Sequence, residues 1–514
     1  MRAGRAIVLA ALFAAGAAGL LADVRAQRNG MPPGDVADLA GFGERTFASV
    51  CAGCHGTDLS GGRGPSLFDA RLLGARSDQQ LHDRIAAGVT GTEMPAFGNA
   101  YSGSQIDGII AYLRRHTTEI GQAPAPRADP AGQVIHSRRQ AFRIDVVTDA
   151  LETPWGLAFL PDGRLLVTER PGRLRIIDRR GKLLPEPVRN LPKVWERQDA
   201  GMLDVAIHPR FARNGLIYLS YVEMAPGHVL TREEARPPLP GEHPGSPPSM
   251  TVLIRGRINA RNEWVTDREI FRAPTALYTA SGSHYGTRFL FDGKGHLFFS
   301  LGDRGDMANA QRLDTPLGKI HRVNEDGSVP GDNPFVHVPG AVPSIWSYGH
   351  RNPEGLAFDP ATGLLWESEH GPAGGDEINI IEKGHNYGWG VVSMGMQPGI
   401  VKREAPGMDQ PIAYYTPTIA PSGIHFYRGT RYPGWTGNLF VAGLAGQQLR
   451  RLAVRGRAVM EQEEIFSRFG RVRAIATGPD GLLYLLLQTA TGPGTGVDLT
   501  SSTPGSLVRL VPLP

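Results

Sequence analysis

The chain has 514 residues, 41% of them hydrophobic and 20% charged, with a formal net charge of +4. That length suggests two or three domains, the composition is that of a soluble globular protein, and so small a charge excess gives no reason to expect nucleic-acid binding. The 66 glycines and 41 prolines argue for a turn-rich, largely β chain.

The N-terminus has the pattern of an export signal. Arg2 and Arg5 precede an uncharged apolar stretch from Ile7 to Ala22, and Val24-Arg25-Ala26 offers small residues for cleavage after Ala26. Residues 1–26 are therefore expected to be removed, which places the mature protein in the periplasm. The alternative is an uncleaved membrane anchor, but the stretch is shorter than the ~20 residues that span a bilayer comfortably, which favours cleavage and leaves no integral span expected after it.

Only two cysteines occur, in Cys51-Ala-Gly-Cys54-His55. An exported chain with no other cysteine has no disulfide framework, and a zinc site would need further ligands at regular spacing. The spacing is the attachment pattern for haem c, with two thioethers and His55 as proximal iron ligand. Downstream, Gly91-Thr-Glu-Met94-Pro95 offers Met94 as the opposite ligand, a His/Met pair that raises the haem potential. Phe47, Val50 and Cys51 predict one face of a helix leading into the motif. Ser104 and Asp107 predict a capping box for a closing helix whose buried face is Ile106, Ile109, Ile110 and Leu113. His82 and His116 read as solvated helix residues. With these elements in this order, the segment resembles a class I cytochrome c, and residues 31–118 are expected to form an all-α domain of that kind.

Residues 119–140 are proline-rich with little periodicity and predict a semi-extended linker. From 141 to 514 one phrase recurs: apolar strand, turn, apolar strand. Copies begin near Gly156, Leu203, Phe289, Gly355, Ile424 and Ile475. Radial repetition of such hairpins solves the edge-strand problem, so the repeats predict a mainly β, six-bladed β-propeller. Five or seven blades are also compatible with the irregular spacing, and a β-sandwich is the less favoured alternative.

Beside these hairpins lie polar, glycine-rich segments: GSHYGTR (282–288), GDRG (302–305), GHRNPEGLAFDP (349–360), SEHGPAGGDEINII (368–381), GHNYGWG (384–390) and GRVR (470–473). As loops at one mouth of a propeller they predict a shared pocket. On these strings residues 141–512 resemble the soluble PQQ-dependent aldose dehydrogenases, the glucose/sorbosone dehydrogenase family. The resemblance implies a sugar substrate, a six-bladed fold and a site of PQQ with Ca²⁺. It makes His284 the general base, with Asp303 close by to orient it, and gives Arg351 and Asn352 contacts to PQQ. It further implies that Arg471 and Arg473 pair with PQQ carboxylates, that the Gly371 and Pro372 carbonyls ligate Ca²⁺, and that Asp376 and Glu377 lie near a structural Ca²⁺. His208 falls in a blade strand and turn and is assigned a structural role.

Two positions depart from the family pattern: Ala445 stands where a Lys or Arg is usual, and Asp199 where a Gln is usual. The expected whole is a dehydrogenase that oxidises an aldose or related polyol and passes electrons to its own haem, then to a respiratory acceptor. The alternatives are a non-catalytic redox or ligand sensor, which leaves the catalytic set unexplained, and a calcium-dependent sugar lactonase, which leaves the haem unexplained.

Overall fold

A computed structural model describes residues 36–513, apart from 58, 60, 62, 66, 68–72, 74–75, 121–127, 237–244, 373, 396, 398–399, 401, 417 and 490–502. The expected export signal lies outside the described residues. Among the described residues no helix is long and apolar enough to cross a membrane. The chain divides into two compact units, one of residues 1–48 and 67–122, the other of 49–66 and 123–514.

The first unit is helical: α1 (Val36–Thr46), α2 (Asp78–Ala87) and α3 (Gly103–Ile120). α1 and α3 cross closely at Gly43, where a Cβ would collide with the Gly108 carbonyl. Phe42 meets Tyr101 edge-on and Phe47 packs on Tyr112. The predicted apolar face is buried, with Ile106, Ile109, Ile110 and Leu113 all in the core. The capping box differs from the expected one. Ser102 Oγ accepts from the Gln105 amide and Gln105 Oε1 from the Ser102 amide, while Ser104 lies inside the helix. Both pairs have the same three-residue spacing, and the one at the chain's entry into the helix does the capping.

The second unit is a six-bladed β-propeller. Every predicted hairpin forms the first two strands of a blade: Pro154–Phe159 with Leu165–Glu169, Met202–Ile207 with Ile217–Met224, and Leu290–Phe291 with His296–Leu301. The series continues with Pro353–Phe358 and Leu365–Glu369, Pro421–Phe426 and Leu439–Gly443, and Arg471–Thr477 and Leu483–Gln488. Blade 1 has three strands, and blades 2 to 5 have four. Blade 6 is closed by both ends of the domain: its third strand is Pro504–Pro512, and beside it runs Ala141–Glu152 from the domain's start. Val134–His136, within the expected linker, adds an edge strand to that sheet. Between blades the core is made of apolar residues from neighbouring sheets, as where Trp366 meets Phe426. First strands of blades 1 and 2, 4 and 5, 5 and 6, and 6 and 1 are neighbours around the axis.

This topology decides where chemistry collects. Each first strand starts, and each second strand ends, at the same face of the propeller, so the loops flanking those points all converge there. The turns inside the hairpins lie at the opposite face.

Candidate active site

His284 lies in the loop before blade 3, and Asp303 in the loop after that blade's second strand, so both belong to the convergent face. His284 Nδ1 is 2.6 Å from Asp303 Oδ1, and both side chains are buried. Asp303 Oδ1 also accepts from the Gly305 amide at 2.8 Å, and Oδ2 from Trp389 Nε1 at 2.7 Å. Burial alone would raise this carboxyl, but His284 foremost, and then the Arg351 guanidinium, hold it below the ordinary Asp range. An ionised Asp303 fixes the proton of a neutral His284 on Nδ1 and leaves Nε2 as the basic atom.

Arg351 and Asn352 immediately precede the first strand of blade 4. The Arg351 amide donates to Glu369 Oε2 at 2.5 Å, and its guanidinium donates to the His370 carbonyl at 3.2 Å. That guanidinium sits 5.3 Å from the Trp389 ring centroid. Asn352 is fixed by the Gly286 amide on its Oδ1 and by Glu354 Oε1 on its Nδ2. Its neighbour His370 is buried, and burial pulls its pKa down to about 3, so the ring is neutral. His370 Nε2 has no hydrogen-bond partner among the described residues, and Glu354 Oε2 stands 3.9 Å from it. Nothing in the SEHGPAGGDEINII string singles out His370, and its buried nitrogen without a hydrogen bond adds it to the site.

Arg471 and Arg473 lie on the first strand of blade 6, where the register shifts between Val472 and Ala474, and both side chains are half-buried. They differ in their partners. Arg473 donates to Glu354 Oε2 at 2.5 Å and lies 5.4 Å from the Trp155 ring. Glu354 would be raised by burial, but Arg473 foremost brings it down to about 2. Arg471 donates to no side chain or carbonyl among the described residues. Burial, reinforced by Arg473 beside it, lowers it to about 10. A guanidinium that has Asp199 and Glu354 nearby but no hydrogen-bonded counter-ion among the described residues has room for an anion, which fits the carboxylates of PQQ.

Gly371 and Pro372 follow the second strand of blade 4. Asp376 shapes this turn: Oδ1 accepts from the Gly371 amide at 2.9 Å, while Oδ2 accepts from Thr418 Oγ1, Ile419 N and Ala420 N at 2.5, 2.6 and 2.8 Å. Both Asp376 oxygens are thus taken by protein donors. No described residue donates to the Gly371 or Pro372 carbonyl, so both are free for a hard cation such as Ca²⁺. Glu377, half-buried, meets the buried acids Glu367 and Glu369 at Asn379 Nδ2, with distances of 3.2, 3.1 and 3.4 Å. Burial and then the charge of Glu369 push Glu367 and Glu377 well above the ordinary range. His350 Nδ1 meets Glu369 Oε1 at 3.1 Å, and ligand atoms of His350, Glu367 and Glu369 all lie within 4.8 Å of one another.

The two departures also find places. Asp199 Oδ2 accepts from the His284 amide at 3.3 Å. Ala445 opens a short 3₁₀ turn, Ala445–Gln447, after the second strand of blade 5. His208 lies at the opposite face, buried, with Nδ1 accepting from the Arg210 amide and Nε2 3.1 Å from Glu325.

In the 49–66 segment, His55 is buried and its Nδ1 lies 2.8 Å from the Pro65 carbonyl. This bond places the proton on Nδ1 and leaves Nε2 for a metal, the usual outer-shell arrangement of a ligating histidine. Gly64 packs on the ring, where a Cβ would come 2.8 Å from Cε1. Cys51 and Cys54 are not joined to each other, and burial pushes the Cys51 thiol up to about 12. These groups fit a covalently held haem. Met94 stands in the loop after α2, its amide donating to Thr92 Oγ1 at 3.2 Å and its carbonyl accepting from the Val89 amide. His82 is on α2, and the His116 side chain lies outside the described residues.

The family model of glucose/sorbosone dehydrogenases matches residues 151–495, and that of cytochrome c oxidase, cbb3-type, subunit III matches residues 38–113. An aldose sugar dehydrogenase of Escherichia coli strain K12 is 38% identical over 358 residues, which span 68% of this chain and 91% of that protein. The apo-form crystal structure of the soluble aldose sugar dehydrogenase from Escherichia coli aligns with a TM-score of 0.63 at 36% identity, over 72% of this chain and 100% of that one. The PQQ-bound form of aldose sugar dehydrogenase from Streptomyces coelicolor aligns with a TM-score of 0.53 at 25% identity, over 72% and 98%.

Proposed function

Because the chain belongs to the glucose/sorbosone dehydrogenase family and carries a cytochrome c domain ahead of its propeller, we propose that it is a periplasmic PQQ- and Ca²⁺-dependent aldose dehydrogenase that delivers electrons to its own haem c. The observation that carries this reading is the buried His284–Asp303 pair, at the face that also presents Arg351, Asn352 and Arg471, the last without a hydrogen-bond partner among the described residues.

Arg471 and Arg351 would hold PQQ as cations, Asn352 as a hydrogen-bonding amide, and the Gly371 and Pro372 carbonyls would hold Ca²⁺. When bound, PQQ supplies a two-electron acceptor and Ca²⁺ a Lewis acid beside it. His284 accepts the proton of the sugar's hydroxyl on Nε2. Asp303 stays ionised, holds the Nδ1 proton and stabilises the imidazolium that forms. Arg473, already neutralised by Glu354, serves chiefly to shape the wall behind Arg471. The expected product is a lactone.

Cys51, Cys54, His55 and Met94 would hold the haem that accepts the electrons one at a time. Tethering it to the dehydrogenase raises the acceptor's effective concentration above that of a diffusing partner. A respiratory acceptor outside the cytoplasm would follow. The test is to reconstitute the purified full-length chain with PQQ and Ca²⁺, add a panel of aldoses and record haem reduction. Reduction that needs PQQ and sugar together, and that His284→Ala abolishes, supports the reading. Failure to reduce the haem with every aldose, in protein that binds PQQ and retains its haem, refutes it.

A further inference from the structure

We propose that Trp389 is a positioning residue for the reaction, setting the proton affinity of the His284 base through Asp303 while supporting Arg351. The inference rests on the reading of His284 as the base and adds a residue that this reading does not contain. Trp389 belongs to the loop after the third strand of blade 4, remote in sequence from both Asp303 and His284, and it is buried. Its indole N–H donates at 2.7 Å to Asp303 Oδ2, the oxygen that His284 does not use. The same ring lies 5.3 Å from the Arg351 guanidinium. One side chain thus touches both the acid behind the base and a cation of the cofactor site.

The indole is held firmly in place. The Trp389 amide donates to the Gly349 carbonyl at 2.9 Å, and its own carbonyl accepts from Gln311 Nε2 at 2.8 Å. Gln311 and Asn386 exchange two amide hydrogen bonds at 3.1 and 2.8 Å. Gly388 and Gly390 on either side take φ of 86° and 93°, which lets the loop turn tightly around the ring.

The direction of the effect follows from the donor count. With the indole N–H present, the negative charge of Asp303 is shared among three donors. Removing that donor concentrates the charge on the remaining bonds, so Asp303 pulls harder on the His284 Nδ1 proton and the imidazole becomes more basic. Because the base works in its neutral form, the acid limb of the kcat/KM profile moves to higher pH. The loss of one charge-assisted hydrogen bond translates into about one pH unit.

The experiment uses the reconstituted holoenzyme with its haem. Trp389→Phe keeps an aromatic ring beneath Arg351 and removes only the donor. Its acid limb should move up by about one pH unit with KM for sugar changed less than about threefold. In the Asp303→Asn background the same substitution should shift nothing further, since Trp389 acts through that carboxylate. Replacing Trp389 by 3-benzothienylalanine, a near-isosteric ring with sulfur in place of N–H, gives the same test without a change in packing. An unshifted limb in both replacements, alongside an inactive His284→Ala, overturns the role of Trp389 and leaves the base reading intact. Full haem reduction by His284→Ala overturns both.

Discussion

Replacing Asp303 by Asn keeps the shape of the side chain and removes its charge, which isolates what the carboxylate does. Asp303 accepts from His284 Nδ1 at 2.6 Å, from the Gly305 amide at 2.8 Å and from Trp389 Nε1 at 2.7 Å, so donors face both oxygens. An amide has one oxygen to offer. Turned with its NH₂ toward Trp389, it sets N–H against N–H and presents a neutral oxygen to His284, which no longer stabilises an imidazolium. Turned the other way, it donates to Nδ1 and forces the proton onto Nε2, which removes the base. Either arrangement loses most of a general-base contribution that is typically 10²–10⁴-fold. A fall in kcat of about 10³, corresponding to about 4 kcal/mol, is therefore expected. The assay is stopped-flow reduction of the haem by saturating sugar in the PQQ- and Ca²⁺-loaded protein, with circular dichroism to show that the propeller is intact. A folded Asp303→Asn enzyme within about threefold of wild type would refute the argument, because neither orientation of the amide permits it.

Four further outcomes are expected. Arg471→Ala weakens PQQ binding by about 10- to 100-fold, measured by equilibrium dialysis, as one charge-assisted partner of a carboxylate is worth about 1.5–3 kcal/mol. Glu354, lowered in the folded state from 4.5 to about 2, contributes stability that is present above pH 4.5 and lost as the pH falls toward 2. Glu354→Gln should flatten that acid decline in Tm, and lower Tm at neutral pH because Arg473 is left buried without its counter-charge. Met94→Ala should lower the haem potential in a redox titration, while Cys51→Ala with Cys54→Ala should release the haem from the chain on a denaturing gel.

The six hairpins were legible because each is a complete local unit: two apolar runs and a turn, with no long-range information needed. Their closure was not. The pairing of Ala141–Glu152 with Pro504–Pro512 joins the ends of the domain, and nothing local in either strand announces its partner. The same division runs through the site. His284, Asp303, Arg351 and Arg471 stand in conspicuous polar strings next to hairpins, and the topology brings those loops to one face. The bonds between them are another matter. Trp389 reaches Asp303, and Arg473 is neutralised by Glu354, across separations that carry no sequence period. The misplaced capping box shows the converse limit, since Ser102/Gln105 and Ser104/Asp107 carry equivalent signals and only the path of the chain separates them.

Asp199 takes on a different meaning once His284 is seen in place. An acid at the position where the family usually has Gln looks unfavourable toward a tricarboxylate. The backbone of His284, however, has φ of 57°, a left-handed conformation that costs a non-glycine residue on the order of 1 kcal/mol. Such a turn persists only where its surroundings fix it. Asp199 Oδ2 accepts the His284 amide, and Arg304 donates to the carbonyl of Ser283 at 3.0 Å and stacks over Tyr285 at 3.5 Å. Tyr285 in turn donates to the Ser281 carbonyl at 2.9 Å. The residues on each side of His284 are therefore clamped. The strained backbone holds the imidazole against Asp303, and Asp199, unfavourable beside a tricarboxylate, would support His284 in its proposed role as base. Preorganisation of this kind would place the proposed base before substrate arrives, so that little of the barrier is spent on arranging it.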